Sequence, residues 1–150
     1  MLRRILVVDD DIVIRELLKN LLEGEGYEVL LAGDGVSGVE SALSECPDLV
    51  ILDGLLPRLH GFLACKAIKE QPLAPKVILL TGIYTKPNYK REVARDYGAD
   101  DMLAKPATAA VLLAVVEKHL KDLPIKVRVE SIQPELSSQA FSIVEDHVIR

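Results

Sequence analysis

The sequence predicts an α/β fold: a doubly wound, five-stranded parallel sheet with five helices. Three observations predict it. Aliphatic runs recur at Ile5–Val8, Leu49–Leu52 and Val77–Leu80, and they are continuous rather than alternating, as in strands buried on both faces. Helical periodicity fills the stretches between the runs. Strand and helix patterns alternate along the chain, which implies right-handed crossovers and an open sheet covered on both sides.

The first strand, Ile5–Val8, runs into Asp9, Asp10 and Asp11. In the first helix Ile14, Leu17, Leu18, Leu21 and Leu22 follow i, i+3, i+4, i+7, i+8, with Arg15, Glu16, Lys19, Asn20 and Glu23 opposite; Gly24 and Gly26 stop it. Glu28–Ala32 is a weaker run that reads as an outer strand. A helix from about Val36 to Glu45 ends before Pro47, and the third strand follows at Leu49–Leu52. The third helix runs from about Phe62 to Glu70, ended by Pro72, and the fourth strand is Val77–Leu80. A fourth helix near Lys90–Tyr97 ends at Gly98, a short strand occupies Met102–Ala104, and the fifth helix begins after Pro106 and continues to about Leu120. After Leu123 the pattern changes, so residues 1–122 are expected to form one domain and 123–150 an extension or linker.

Bulk composition narrows the function. The 150 residues carry a net charge of −5 with no basic block, which argues against a nucleic-acid surface on these residues. No apolar run approaches the roughly 18 residues of a membrane span. The opening "MLRRILVVDDD" has too short an apolar stretch for a signal peptide, so a cytoplasmic protein without membrane contact is expected. Cys46 and Cys65 fit no metal or redox spacing and read as buried free thiols. His60, His119 and His147 do not cluster by sequence; His60 reads as solvated, and Tyr84, Tyr89 and Tyr97 as packing or surface residues.

Chemistry gathers where the strands end. In a doubly wound sheet, ligands bind beyond the carboxyl ends of the strands. Asp9 and Asp10 follow the first strand, Asp53 the third, Thr81 the fourth and Lys105 the fifth, so these side chains should share one rim. A lone Asp pair before a helix is ordinarily a cap, but the cap alone does not explain Asp53, Thr81 and Lys105 in register with it. Three carboxylates suit a hard divalent cation such as Mg2+, bound at about 2.1 Å through oxygen. A cation, a hydroxyl and an ammonium around one carboxylate can receive a phosphoryl group, with the carboxylate as nucleophile.

The stretches "VVDDD", "LDGLLPRLHG", "LLTG" and "GADDMLAKP" together resemble the receiver domain of two-component response regulators, over about residues 3–121. The resemblance implies a flavodoxin-like sheet in the order 2-1-3-4-5. It implies that Asp53 is the phosphoacceptor, charged by a sensor histidine kinase or a phosphotransfer protein. Asp9 and Asp10, with Asp53 and the backbone carbonyl of Leu55, match the ligands of Mg2+ or Mn2+. Thr81 matches the switch hydroxyl, Lys105 the phosphate-contacting lysine, and Pro106 a cis-proline. Asp11 is left to cap the first helix. Met102 stands where the family usually carries Tyr or Phe, and a flexible thioether lacks an aromatic ring's rigid shape. Such a protein is no turnover enzyme: it catalyses only its own phosphorylation and dephosphorylation.

Two rival readings bear on the same residues. An aspartyl-phosphate hydrolase generally shows Asp-x-Asp after the first strand, whereas here the acids are adjacent and the nucleophile follows the third. A degenerate receiver acting as a constitutive interaction module usually loses an acid, the Thr or the Lys, and none is lost. The apolar "AAVLLAVV" of the fifth helix exceeds one core stripe and suggests a contact face, such as a homodimer through the fourth and fifth helices. Leu55 and Ile83 are expected to screen the acyl phosphate from water. The strand-like "IKVRVES" suggests an effector domain downstream.

Overall fold

The computed structural model describes residues 2–82 and 88–124. Ile83 and Tyr84, His147 and the "IKVRVES" stretch lie outside them. Among the described residues strands and helices alternate: β1 (Arg4–Val8), α1 (Ile12–Gly24), β2 (Glu28–Ala32), α2 (Gly35–Glu45), β3 (Leu49–Asp53), α3 (Gly61–Lys69), β4 (Lys76–Thr81), α4 (Tyr89–Tyr97), β5 (Asp101–Ala104) and α5 (Ala109–Leu120). The described strand pairs are all parallel, in the order β2-β1-β3-β4-β5.

Continuous aliphatic strands work here because both faces are covered. Leu6, Val8, Val50, Leu52, Val77 and Leu79 pack with Ala42, Phe62, Ala64, Cys65, Ile68 and Val93 of α2, α3 and α4. The intervening residues Ile5, Val7, Leu49, Ile51, Ile78 and Leu80 pack with Leu18 and Leu22 of α1 and Leu112, Val116 and Leu120 of α5. Each Val, Leu, Ile or Phe among them, fully withdrawn from water, contributes about 1.5–3 kcal/mol.

The ladder register sets the rim. Val8 lies opposite Ala32 on one side and Leu52 on the other, Asp53 opposite Leu80, and Thr81 opposite Ala104. The residues immediately after these pairs include Asp9 and Lys105, so one edge of the sheet collects them.

Two expectations change. Cys46 is exposed, not buried, because it occupies the left-handed position (φ 48°) that ends α2 and points its side chain outward. Along α5, Leu112, Val116 and Leu120 form the buried stripe, but Leu113 and Val115 also pack against the core, and Val111 is left 47% exposed. The uncovered apolar area on α5 is therefore narrower than its composition suggests. No described helix is long and apolar enough to cross a membrane.

Candidate functional site

Asp9 is the first residue beyond β1, and the peptide ladder still holds it: its N–H donates to the Ala32 carbonyl at 3.1 Å. Its carboxylate is buried; Oδ1 accepts from the Asp11 N–H at 2.9 Å, and Oδ2 accepts from Lys105 Nζ at 3.0 Å. Asp10 is exposed beside it. Asp11 caps α1, its Oδ1 accepting from the Val13 N–H at 2.9 Å. The three adjacent acids thus separate: two join the rim and the third satisfies a helix end.

Asp53 closes β3 and is also buried. Its Oδ1 accepts from the Leu55 N–H at 3.2 Å, and Lys105 Nζ lies 3.4 Å from its Oδ2. Ligand oxygens of Asp9, Asp10 and Asp53 all lie within 4.8 Å of one another. Such a cluster of hard oxygen donors fits an octahedral dication that keeps some of its water.

Like charges so close need compensation. Burial pushes the Asp53 carboxyl above the ordinary carboxylate value and Asp9 adds to the push, while the Leu55 N–H and Lys105 oppose it. For Lys105, burial acts to lower the ammonium, but its bonds to Asp9 and Asp53 outweigh that and hold it above the ordinary lysine value.

Thr81 ends β4, buried, and its carbonyl accepts from the Lys105 N–H at 2.9 Å. The Lys105–Pro106 peptide is cis. The turn after Asp53 is tight. A Cβ on Gly61 would stand 1.9 Å from the Asp53 carbonyl oxygen, and one on Gly54 would sit 3.3 Å from Thr81 Oγ1. Glycine at 61 therefore lets α3 begin directly against the end of β3, where its N–H donates to the Gly54 carbonyl at 3.1 Å. Leu55 is 52% exposed.

Sequence-predicted residues elsewhere fall as follows. Met102 is half-buried and packs on the α2–α3–α4 side of the sheet. His60 is exposed, as read, but it also caps α3 through Nδ1 and stacks on Phe62 with ring centroids 5.2 Å apart. Tyr89 and Tyr97 pack against the core beside Phe62.

Two features escaped the sequence. Arg15, placed by periodicity on the polar face of α1, donates from Nη1 to the Asp9 carbonyl at 2.8 Å. Asp101, buried at the start of β5, joins Lys90 of α4 (2.6 Å) to His119 of α5 (2.9 Å). Burial alone would raise the Asp101 carboxyl, but Lys90, His119 and the Met102 N–H together hold it below the usual value. Neither link has a periodic signal, because each joins residues by side-chain reach across an element boundary.

Comparison with known proteins identifies the kind of domain that carries this rim. A family model described as the response regulator receiver domain matches residues 5–117. The alkaline phosphatase synthesis transcriptional regulatory protein PhoP of Bacillus subtilis is 32% identical over 150 residues, covering 97% of this chain and 62% of that protein. Response regulator MprA of Mycobacterium avium is 35% identical over 148 residues, covering 98% of this chain and 64% of its own length. The chain thus spans a little under two thirds of these relatives. Among solved structures, the chemotaxis protein CheY4 of Vibrio cholerae superposes with a TM-score of 0.73 at 31% identity, covering 80% of this chain and 100% of that one. The BeF3-activated N-terminal receiver domain of RstA from Klebsiella pneumoniae gives a TM-score of 0.73 at 30% identity, with the same coverage of 80% and 100%.

Proposed function

This chain belongs to the response regulator receiver domain family, and from that premise we propose that it is a phosphoacceptor switch charged at Asp53. A sensor histidine kinase or a phosphotransfer protein supplies the phosphoryl group, in the cytoplasm. Residues 1–122 are the phosphoacceptor unit, and 123–150 an extension or linker. The observation that carries the reading is the convergence of Asp9, Asp10 and Asp53 within 4.8 Å, with Lys105 Nζ 3.0 Å from Asp9 and 3.4 Å from Asp53.

Asp9, Asp10, Asp53 and the Leu55 carbonyl would hold Mg2+ or Mn2+, which when bound neutralises phosphoryl oxygens and orients the acceptor. Asp53 attacks phosphorus as the carboxylate. The new bond is carboxylate oxygen to phosphorus, and the bond that breaks is phosphorus to the donor's imidazole nitrogen, in line with it. Lys105 is already charged and within reach of Asp53, so it stabilises negative charge on the incoming group without reorganising. The Thr81 hydroxyl, at the end of the adjacent strand, is the donor for a third phosphoryl oxygen. The narrow apolar area at Val111 supports a contact face on α5, of which a homodimer through α4 and α5 is one form.

The test is phosphorylation with acetyl phosphate, read as a mass increase of one phosphoryl group. The wild type should label only with Mg2+ or Mn2+ present, and Asp53→Asn should not label. Full labelling of a folded Asp53→Asn protein would overturn the assignment.

A further inference from the structure

We propose that Arg15 is a positioning residue for the acid cluster: it holds the Asp9–Asp10 peptide so that Asp10 joins Asp9 and Asp53, and Gly33 is the gap that admits it. The proposal rests on the reading that these acids bind a divalent cation.

The sheet ladder stops one residue short of the acids. Val8 is the last residue of β1 paired on either side, with Ala32 and with Leu52. The Asp9 N–H still reaches the Ala32 carbonyl, but the Asp9 carbonyl lies beyond the ladder, and there the Arg15 guanidinium donates to it at 2.8 Å. A peptide unit is planar, so fixing that oxygen also fixes the direction in which the Asp10 Cα leaves. Asp9 has further anchors, since its carboxylate is held by the Asp11 N–H and by Lys105. Asp10 is exposed and is aimed by the backbone that carries it. Arg15, from the first turn of α1, thus folds back over the corner through which the strand hands its chain to the helix.

The space Arg15 occupies exists because residue 33 has no side chain. A Cβ there would stand 2.9 Å from Arg15 Nη1 and 3.6 Å from Cζ, and among the described residues, its own chain neighbours aside, nothing else comes within 4 Å. Alanine at 33 would therefore press on the tip of one flexible side chain and on no backbone. It is a substitution aimed at Arg15 from outside.

Positioning and charge predict opposite signs. A guanidinium close to a cation site repels the cation, so if its charge were what mattered, removing it would tighten metal binding. If it positions the peptide, removing it loosens binding, and loss of a group that orients a ligand typically costs about 10-fold or more in metal affinity.

The experiment is calorimetric titration of the purified chain with Mg2+, together with thermal unfolding in EDTA. Arg15→Gln should weaken binding about 10-fold. Gly33→Ala should weaken it in the wild-type background, leave unfolding in EDTA nearly unchanged, and add nothing in the Arg15→Gln background. Unchanged or tighter binding in Arg15→Gln, or an equal Gly33→Ala effect in both backgrounds, overturns the proposal. Should Arg15→Gln fail to fold, Gly33→Ala alone decides, since unchanged affinity there removes the role assigned to Arg15. A wild type that takes up no Mg2+, or that binds it equally well as Asp10→Ala, would instead overturn the metal-site reading beneath it.

Discussion

Lys105→Gln should destabilise the metal-free protein by about 1–3 kcal/mol and lose most of that defect in saturating Mg2+. The Lys105 ammonium lies 3.0 Å from Asp9 Oδ2 and 3.4 Å from Asp53 Oδ2, between two carboxylates that are both buried. At an effective dielectric of about 20, a charge pair near 4 Å interacts by about 4 kcal/mol, and removing one partner of a fully buried pair costs about 3–5 kcal/mol. With 30% of the lysine side chain exposed, solvent screens part of this, which brings the expected loss down to about 1–3 kcal/mol. That corresponds to a fall in Tm of roughly 4–12 °C for a domain of this size. On the proposed reading a dication bound by the acids would supply the missing positive charge, so the Mg2+-induced rise in Tm should be larger in the variant than in the wild type. The pH window follows from the direction of the shift. Burial would lower the Lys105 ammonium, but Asp9 and Asp53 raise it above the ordinary 10.5. Its contribution is therefore fully present below the ordinary lysine value and is lost as pH rises through the raised one. Thermal unfolding followed by circular dichroism at pH 7, in EDTA and in Mg2+, reads the defect and its rescue, and a series in EDTA carried above about pH 11 reads the loss of the lysine's contribution. Equal Tm values in EDTA, or equal Mg2+ shifts, would refute the idea that Lys105 compensates the acid cluster.

Three further outcomes follow from particular contacts. Gly61→Ala should cost about 3 kcal/mol in urea denaturation, the upper end for overpacking, because the new methyl meets the Asp53 carbonyl at 1.9 Å and backbone cannot yield; Gly24→Ala, with nothing within 4 Å, is the control and should be near neutral. Asp101→Asn should be less stable than the wild type at neutral pH. Since the folded Asp101 carboxyl is held below 3.8, the difference should persist above about pH 4 and close as pH falls further, and a gap unchanged at pH 3 would count against the Lys90–Asp101–His119 link. Of the two thiols, Cys46 is exposed, whereas Cys65 is fully buried and pushed up to about 12 by that burial. An aromatic disulfide reagent should accordingly titrate one thiol in the native protein and two after unfolding; two fast thiols would mean that the α3 packing around Cys65 is wrong.

Strands and helices were legible in the sequence because burial on one face or two leaves a periodic trace. Ile5–Val8, Leu49–Leu52 and Val77–Leu80 are uninterrupted aliphatics because helices cover both faces, and they appear as the three central strands β1, β3 and β4. The rim was legible for a related reason: Asp9, Asp53 and Thr81 each follow such a run, Lys105 follows the short strand β5, and parallel strands bring their carboxyl ends to one edge. Element ends were less legible, since α2 and α3 each start at a glycine, Gly35 and Gly61, whose backbone must approach a neighbouring loop that no local pattern announces. The exposure of Cys46 depended on a left-handed helix end, and the narrow open area on α5 depended on which flank meets the sheet. Local periodicity therefore determined which segments are buried and which edge carries the acids, because hydrophobic burial acts residue by residue along each element. Tertiary structure alone decided which side chains reach across to hold them: Arg15 on the Asp9 carbonyl, Lys105 between Asp9 and Asp53, and Lys90 and His119 on Asp101. Those contacts are set by distances between elements, and distance in space is not a function of spacing in the chain.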